Sequence, residues 1–283
     1  MYKTGSFIFN IESEVPVPSA FNLFKTEEHT DSFYNYNIKL TDSVKVSESS
    51  FDVRKDEASI IIQNGFEKRY LYIKGDRIPY AVSVEKDSSH SVIYVSEKYL
   101  YHFKDTDSMF ISLLSLERRL QEKNEFILHS SFIMYNNEAV LFTAPSGTGK
   151  STQAELWKRY RNARVINGDR TVLSIKGNTL YASGSPHCGS SGITENASFP
   201  VKAVVMLSQA KYNSVCRASF TDNALSLFKE ITVNYHNDSF FNKAMNMTEN
   251  IFSLTDVYLL KCNISEDAVT CLYDALYVNP VLP

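Results

Sequence analysis

None of the four cysteines in this 283-residue chain, Cys188, Cys216, Cys262 and Cys271, has a partner at metal-binding spacing. Zinc ribbons and fingers are thereby excluded, and reduced thiols are expected rather than disulfides. No apolar run reaches membrane-spanning length, so no membrane partner is expected. Residues Met1 to Gly5 begin no apolar stretch of signal-peptide length, which predicts a cytoplasmic protein in which triplets such as Asn196-Ala197-Ser198 are not glycosylated. No block of like charge forms a tail, and the net charge of −3 gives no reason to expect a nucleic-acid partner. Internal repeats and low-complexity segments are missing as well. What is present is the composition of a soluble enzyme. Eighteen Phe and 17 Tyr, scattered over strand-like segments, point to core and sheet rather than to a base-stacking platform. The length suits one large or two modest domains.

The feature that carries chemistry is Ala144-Pro145-Ser146-Gly147-Thr148-Gly149-Lys150-Ser151-Thr152, directly after the apolar run Ala139–Thr143. It has the form of a phosphate-binding loop, with Ala144 where the usual pattern begins with Gly. Without Cβ atoms, Gly147 and Gly149 let the backbone curl with its N–H groups turned inward around a polyphosphate. Lys150 is then expected on the β and γ phosphates, Ser151 on Mg²⁺, and the helix from Ser151 to Tyr160 presents its positive dipole end to the same anion. Pro145, Ser146, Thr148 and Thr152 complete the nucleotide-binding set. Ala163–Ile166 reads as the next strand.

Residues 1–105 read as a β-rich domain. Ser6–Ile11 alternates, Ala58–Ile62 and Lys68–Ile73 flank Asn64-Gly65 as a hairpin, and Tyr80–Val84 and Ser91–Val95 add two strands. From Asp107 to Lys123 the period is helical, with Phe110, Leu113, Leu114 and Leu120 on one side. Residues 106–283 then alternate strand and helix: strand Phe126–Tyr135, a turn at Asn136-Asn137, the loop, strand Val201–Leu207, helix Asn223–Thr232, strand Asp256–Leu260 and helix Glu266–Tyr277. That alternation is α/β.

Phosphoryl transfer also needs a carboxylate to hold the metal or take the acceptor's proton. Asp169, following the strand Ala163–Asn167, is the candidate, opposed by its reading as a turn residue. Arg170 beside it either neutralises the transferred phosphate or pairs with a surface carboxylate. Taken alone, His129 reads as an ordinary strand histidine. Residues 184–196, with Gly184, Gly189, Gly192, Ser190 and Ser191, read either as a loop over the acceptor side, with His187 and Cys188 facing the substrate, or as a plain connection.

His129, fifteen positions before Ala144, the loop itself and Asp169-Arg170 together resemble the HPr kinase/phosphorylase group. That group shares its nucleotide fold with phosphoenolpyruvate carboxykinase. Gly184–Gly189, Pro200–Leu207 and Val257–Cys262 extend the resemblance over about residues 126 to 278. It implies an α/β (α+β) P-loop kinase domain, with His129, Lys150, Asp169 and Arg170 catalytic and Ser151 and Asp169 holding metal. One departure is Gly168, which stands where the group has the first of two acids. No counterpart of the loop that recognises HPr is visible, and no manganese-ligand set for carboxykinase activity.

The expected activity is therefore ATP- and Mg²⁺-dependent transfer of a phosphoryl group to a hydroxyl, of a peptide or protein serine or of a small molecule. The alternative is a non-catalytic nucleotide-binding regulatory module, motivated by Gly168. Resemblance alone adds the expectation of a homo-oligomer.

Overall fold

The computed structural model describes residues 1–28, 30, 32–46, 50–104, 107–234 and 236–278. The chain divides into two compact units, one of Met1–Lys3 and Phe7–Leu116, the other of Thr4–Ser6 and Glu117 onward. Both are built on eight-stranded sheets, so the molecule is mixed α/β. Among the described residues no helix is long and apolar enough to cross a membrane.

The first sheet contains β1 (Tyr2–Thr4), β2 (Phe7–Ser13), β3 (Tyr34–Thr41), β4 (Val53–Arg54), β5 (Ala58–Gln63), β6 (Phe66–Leu71), β7 (Ala81–Asp87) and β8 (His90–Ser96), in the order β1-β2-β3-β8-β7-β6-β5-β4. Asn64-Gly65 makes the expected hairpin between β5 and β6, with Gln63 paired to Phe66. Phe9, Phe21, Tyr36 and Phe110 are almost fully buried, with rings edge-on to one another. The helical period over 107–123 belongs to two helices, α1 (Asp107–Leu114) and α2 (Leu116–Glu122). They are separated at Ser115, whose φ of 48° breaks the hydrogen-bond ladder. The contact division falls just after this break, beyond the 105/106 boundary read from the sequence.

The second sheet contains β9 (Phe126–Tyr135), β10 (Glu138–Thr143), β11 (Arg164–Asn167), β12 (Arg170–Lys176), β13 (Thr179–Ser183), β14 (Ser198–Gln209), β15 (Ser214–Arg217) and β16 (Asp256–Cys262). Two long strands are shared between two ladders. The first half of β9, Phe126–His129, pairs with β12; its second half, from Ser130, pairs with β10 and β11. Likewise β14 pairs with β13 up to Pro200, then lies parallel between β10 and β16. Strands β10, β14 and β16 thus run parallel and end on one side, at Thr143, Gln209 and Cys262.

Helices cover both faces of this parallel part. On one face α3 (Lys150–Arg161) and α6 (Glu266–Tyr273) pack on Val140, Phe142, Val205 and Leu260; on the other, α4 (Phe220–Phe228) and α5 (Asp238–Leu254) pack on Ala139, Leu141, Val204 and Val257. A strand covered twice has no polar face, which is why Ala139–Phe142 is a continuous apolar run. The fully buried Trp157 anchors α3, and Asn162 in left-handed conformation ends it, its N–H donating to the Trp157 carbonyl. Two helices are shorter than their sequence periods suggest. The helix expected to reach Thr232 stops at Phe228, and the one expected to reach Tyr277 is α-helical only to Tyr273, then widens into a π turn through Val278.

Candidate functional site

The loop after β10 sits at the C-terminal end of the parallel strands, the usual ligand position in such sheets. Gly147 and Gly149 have φ of 79° and 112°, values that side-chain-bearing residues rarely adopt. Gly149 is the N-cap of α3, and no side chain caps that helix start. Its first-turn N–H groups therefore face the loop. Pro145, Ser146 and Gly147 are exposed, Thr148 and Thr152 partly so. The Thr148 hydroxyl donates to the Pro145 carbonyl at 2.8 Å, and the Gln209 amide donates to the Gly147 and Thr148 carbonyls at 3.3 Å each. Both ties hold the curl. Lys150 is buried, its Nζ folded onto the carbonyls of Ala144 (2.8 Å) and Pro145 (3.3 Å). Burial lowers its pKa, opposed by the carboxylates of Glu230 and Asp169. A buried ammonium that reaches only main-chain oxygens has charge to offer an incoming anion.

On one flank lie the acid and the histidine. Where β9 changes ladders, the Ser130 N–H donates to the Asp169 carbonyl at 3.0 Å, and the Thr143 hydroxyl donates to the His129 carbonyl at 2.9 Å. Asp169 and the strand feeding the loop are thereby fixed to adjacent residues of one strand. The His129 ring lies between two carboxylates: Nε2 is 3.5 Å from Asp169 Oδ1, and Nδ1 is 3.0 Å from Glu230 Oε2. Arg170 Nε is 3.4 Å from Asp169 Oδ2, and its Nη1 donates to the Thr232 hydroxyl at 3.2 Å. The contact with His129, joined by the Arg170 charge, holds the Asp169 carboxyl below its usual range despite partial burial. It is ionised at neutral pH. Ser151 connects loop and acid, its hydroxyl 3.4 Å from the Gly168 carbonyl and from Ser131 Oγ. The sequence-predicted residues His129, Lys150, Ser151, Asp169 and Arg170 thus gather at one end of the sheet.

Three further residues shape this flank. Glu230 orients His129 twice, through its carboxylate and through its carbonyl, which accepts the His129 N–H at 2.9 Å. The fully buried Asn167 receives the N–H groups of Asp169 (2.9 Å) and Arg170 (2.8 Å) on Oδ1, and its Nδ2 donates to the Ser185 carbonyl and the Thr194 hydroxyl. Ser131 donates to the Gly168 carbonyl at 2.9 Å. Reading 223–232 as one helix hides Glu230; only its position just beyond a helix end would have marked it.

The loop 184–193 lies against Asp169. A Cβ on Gly189 would come within 2.7 Å of the Asp169 Cβ, and one on Gly168 would fall 1.9 Å from the Ser191 hydroxyl. Gly168 is therefore a packing requirement. His187 is part-buried, with Nδ1 sealed and without a hydrogen-bond partner. Burial, then the Arg170 charge, push its pKa down to about 4, so it is neutral at pH 7. All four cysteines are free.

No family model matches the chain, and no curated protein matches it. Among solved structures a weak neighbour is the Hpr(Ser) kinase/phosphatase from Coxiella burnetii, with a TM-score of 0.25 and 15% identity over 32% of this chain and 70% of that one. A likeness at that TM-score leaves both fold and chemistry to rest on the residues described above.

Proposed function

We propose that the protein is an ATP- and Mg²⁺-dependent phosphotransferase that moves the γ-phosphoryl group to a hydroxyl of a peptide, protein or small molecule. The observation that carries the reading is the convergence of the glycine loop and Lys150 with the His129–Asp169 pair across Ser151. The loop N–H groups and the uncapped start of α3 bind the triphosphate, and Lys150 leaves the Ala144 and Pro145 carbonyls for the β and γ phosphates. Ser151 and Asp169 are hard oxygen donors of the kind that suit Mg²⁺, which binds through one or two protein oxygens plus phosphate and water. When bound, Mg²⁺ neutralises charge on the phosphates.

Asp169, ionised and aimed by His129 and Arg170, accepts a hydrogen bond from the attacking hydroxyl and takes its proton as the bond to phosphorus forms. His129, held by Glu230 through Nδ1, keeps the Asp169 carboxylate in place through Nε2. Arg170 stands close enough to Asp169 to offset charge on the transferred group. Catalysis of this kind is positioning and electrostatics. The decisive experiment compares wild type with Lys150→Ala in transfer of labelled phosphate from ATP. Expected is loss of transfer in a protein with unchanged circular dichroism; full activity in the variant overturns the assignment.

A regulatory nucleotide-binding module is the second reading, favoured by Gly168, whose packing against Ser191 leaves no room for a second acid. Tight ATP binding with no turnover toward any acceptor, or toward water, would select it.

A further inference from the structure

On the other flank of the loop lies a cavity of about 440 Å³, lined by Gly147, Thr148 and Gly149, by Thr152 and Gln153 of α3, and by the ends of β14 and β16 at Gln209 and Cys262–Ile264. No lining side chain is charged. Gln153 is 3% exposed, and its amide orientation is fixed because Nε2 donates to the Asn263 carbonyl at 3.2 Å and to Cys262 Sγ at 3.3 Å. That leaves Oε1, buried and without a hydrogen-bond partner, as the end that accepts. An unmet buried acceptor is costly, and a site built around one suits a ligand that brings a donor. The amides of Gln209 and Asn263 are already turned to main-chain carbonyls, of Gly147 and Thr148 and of Lys211. Ile264 leaves an apolar side chain 78% exposed beside the cavity.

We propose that this cavity receives the base of the bound nucleotide, and that the base is a 6-aminopurine whose amino group donates to Gln153 Oε1. The inference rests on the phosphate reading of the loop and adds where the rest of the nucleotide goes. A triphosphate on residues 145–151 has a charged neighbourhood on the Asp169 side and a neutral one here, and a neutral heteroaromatic ring belongs in the neutral one. A cavity of this volume is within the ordinary range for small ligands. Ile264 covers one face of the ring. The site offers an acceptor, while its amide donors are committed elsewhere. A base with an amino donor is therefore favoured over guanine, which sets a carbonyl on the same edge.

Calorimetric titration tests this with ATP, GTP, purine riboside triphosphate (which lacks the 6-amino group) and tripolyphosphate, each with Mg²⁺, on wild type and on Gln153→Met. The expected result is ATP binding about tenfold tighter than purine riboside triphosphate and GTP, and at least about tenfold tighter than tripolyphosphate. Gln153→Met weakens ATP about tenfold and leaves tripolyphosphate unchanged. The wild-type ligand series needs no variant to fold. Tripolyphosphate or GTP binding as tightly as ATP overturns the base site while the phosphate site stands. Failure of tripolyphosphate and ATP alike overturns the phosphate site, and the base site with it.

Discussion

The two flanks of loop 144–149 differ in kind. On one side five ionisable side chains, His129, Lys150, Asp169, Arg170 and Glu230, crowd around two serines. On the other, amides, small residues and one exposed isoleucine line a cavity without charge. Both flanks use the ends of strands in one sheet, so the difference is not one of fold but of which ladder supplies them. The charged side comes from the seam where β9 passes from β12 to β10, and the neutral side from the parallel pair β14 and β16. Antiparallel crossing brings acid and histidine onto neighbouring backbone positions. Parallel strand ends leave an open crevice. A single glycine turn thus has ionisable groups on one hand and neutral amides on the other.

The contrast is broken most severely by Asp169→Asn, which removes the acid and keeps its shape. Phosphoryl transfer should fall about 10²–10⁴-fold, the usual worth of a positioned base, while calorimetry without Mg²⁺ finds the nucleotide affinity within a few-fold of wild type. An equal loss of affinity would place Asp169 in ligand binding instead. Glu230→Gln is the next largest. It keeps a hydrogen-bonding group near His129 Nδ1 but loses the charge, and kcat should drop about 10–100-fold with KM for ATP unchanged, the range of one charge-assisted hydrogen bond.

Gly168→Asp sharpens the comparison by adding a charge at a position of the seam that carries none. The new Cβ meets the Ser191 hydroxyl at 1.9 Å, so urea unfolding should show a loss of about 1–3 kcal/mol. Ser191→Gly in the same chain should recover part of it; no loss in the single variant would mean that loop 189–191 moves aside freely.

The remaining contrast is in pH dependence. His187 has a folded pKa of about 4 against an ordinary 6.5, so between those values the unfolded chain binds the proton and the folded chain does not. Stability is therefore complete above about pH 6.5 and declines as pH falls toward 4. Asp169, with its pKa lowered, adds stability present above the ordinary carboxylate value and lost at lower pH still. Denaturation midpoints measured across this range should flatten in His187→Asn.

Local signals made part of this legible in the sequence. The loop, the Asn64-Gly65 hairpin, the Asn136-Asn137 turn with φ of 52° and 62°, and the apolar strand β10 are each written in a few adjacent residues. The longest helix, α5, escaped although Phe240, Ala244, Met247 and Ile251 are spaced for one buried face. Its asparagines and threonine are weak helix formers, and packing on the sheet overrides them. Strand β12 was hidden because Asp169 and Arg170 read as a turn; the turn is real, but Asn167 closes it and the strand begins at Arg170. Glu230 could not be found by motif, since its meaning lies in contact with a residue about a hundred positions earlier. The amide pocket has the same character. Gln153, Gln209 and Asn263 meet only when three strand ends are side by side.

The sharing of β9 and β14 between ladders also sets an order of events during synthesis. When residues 144–151 leave the ribosome, β10 has its hairpin partner β9, but β14, its other neighbour, follows only at Ser198–Gln209, and β16 later still at Asp256–Cys262. The glycine turn is thus made early and left half supported until nearly the whole unit has been translated. Chains released before residue 209 would carry the motif without the Gln209 tether, and those released before residue 262 without the neutral crevice; contacts this distant in sequence form slowly. On the proposed nucleotide reading, capture should therefore wait until β14 and β16 are in place.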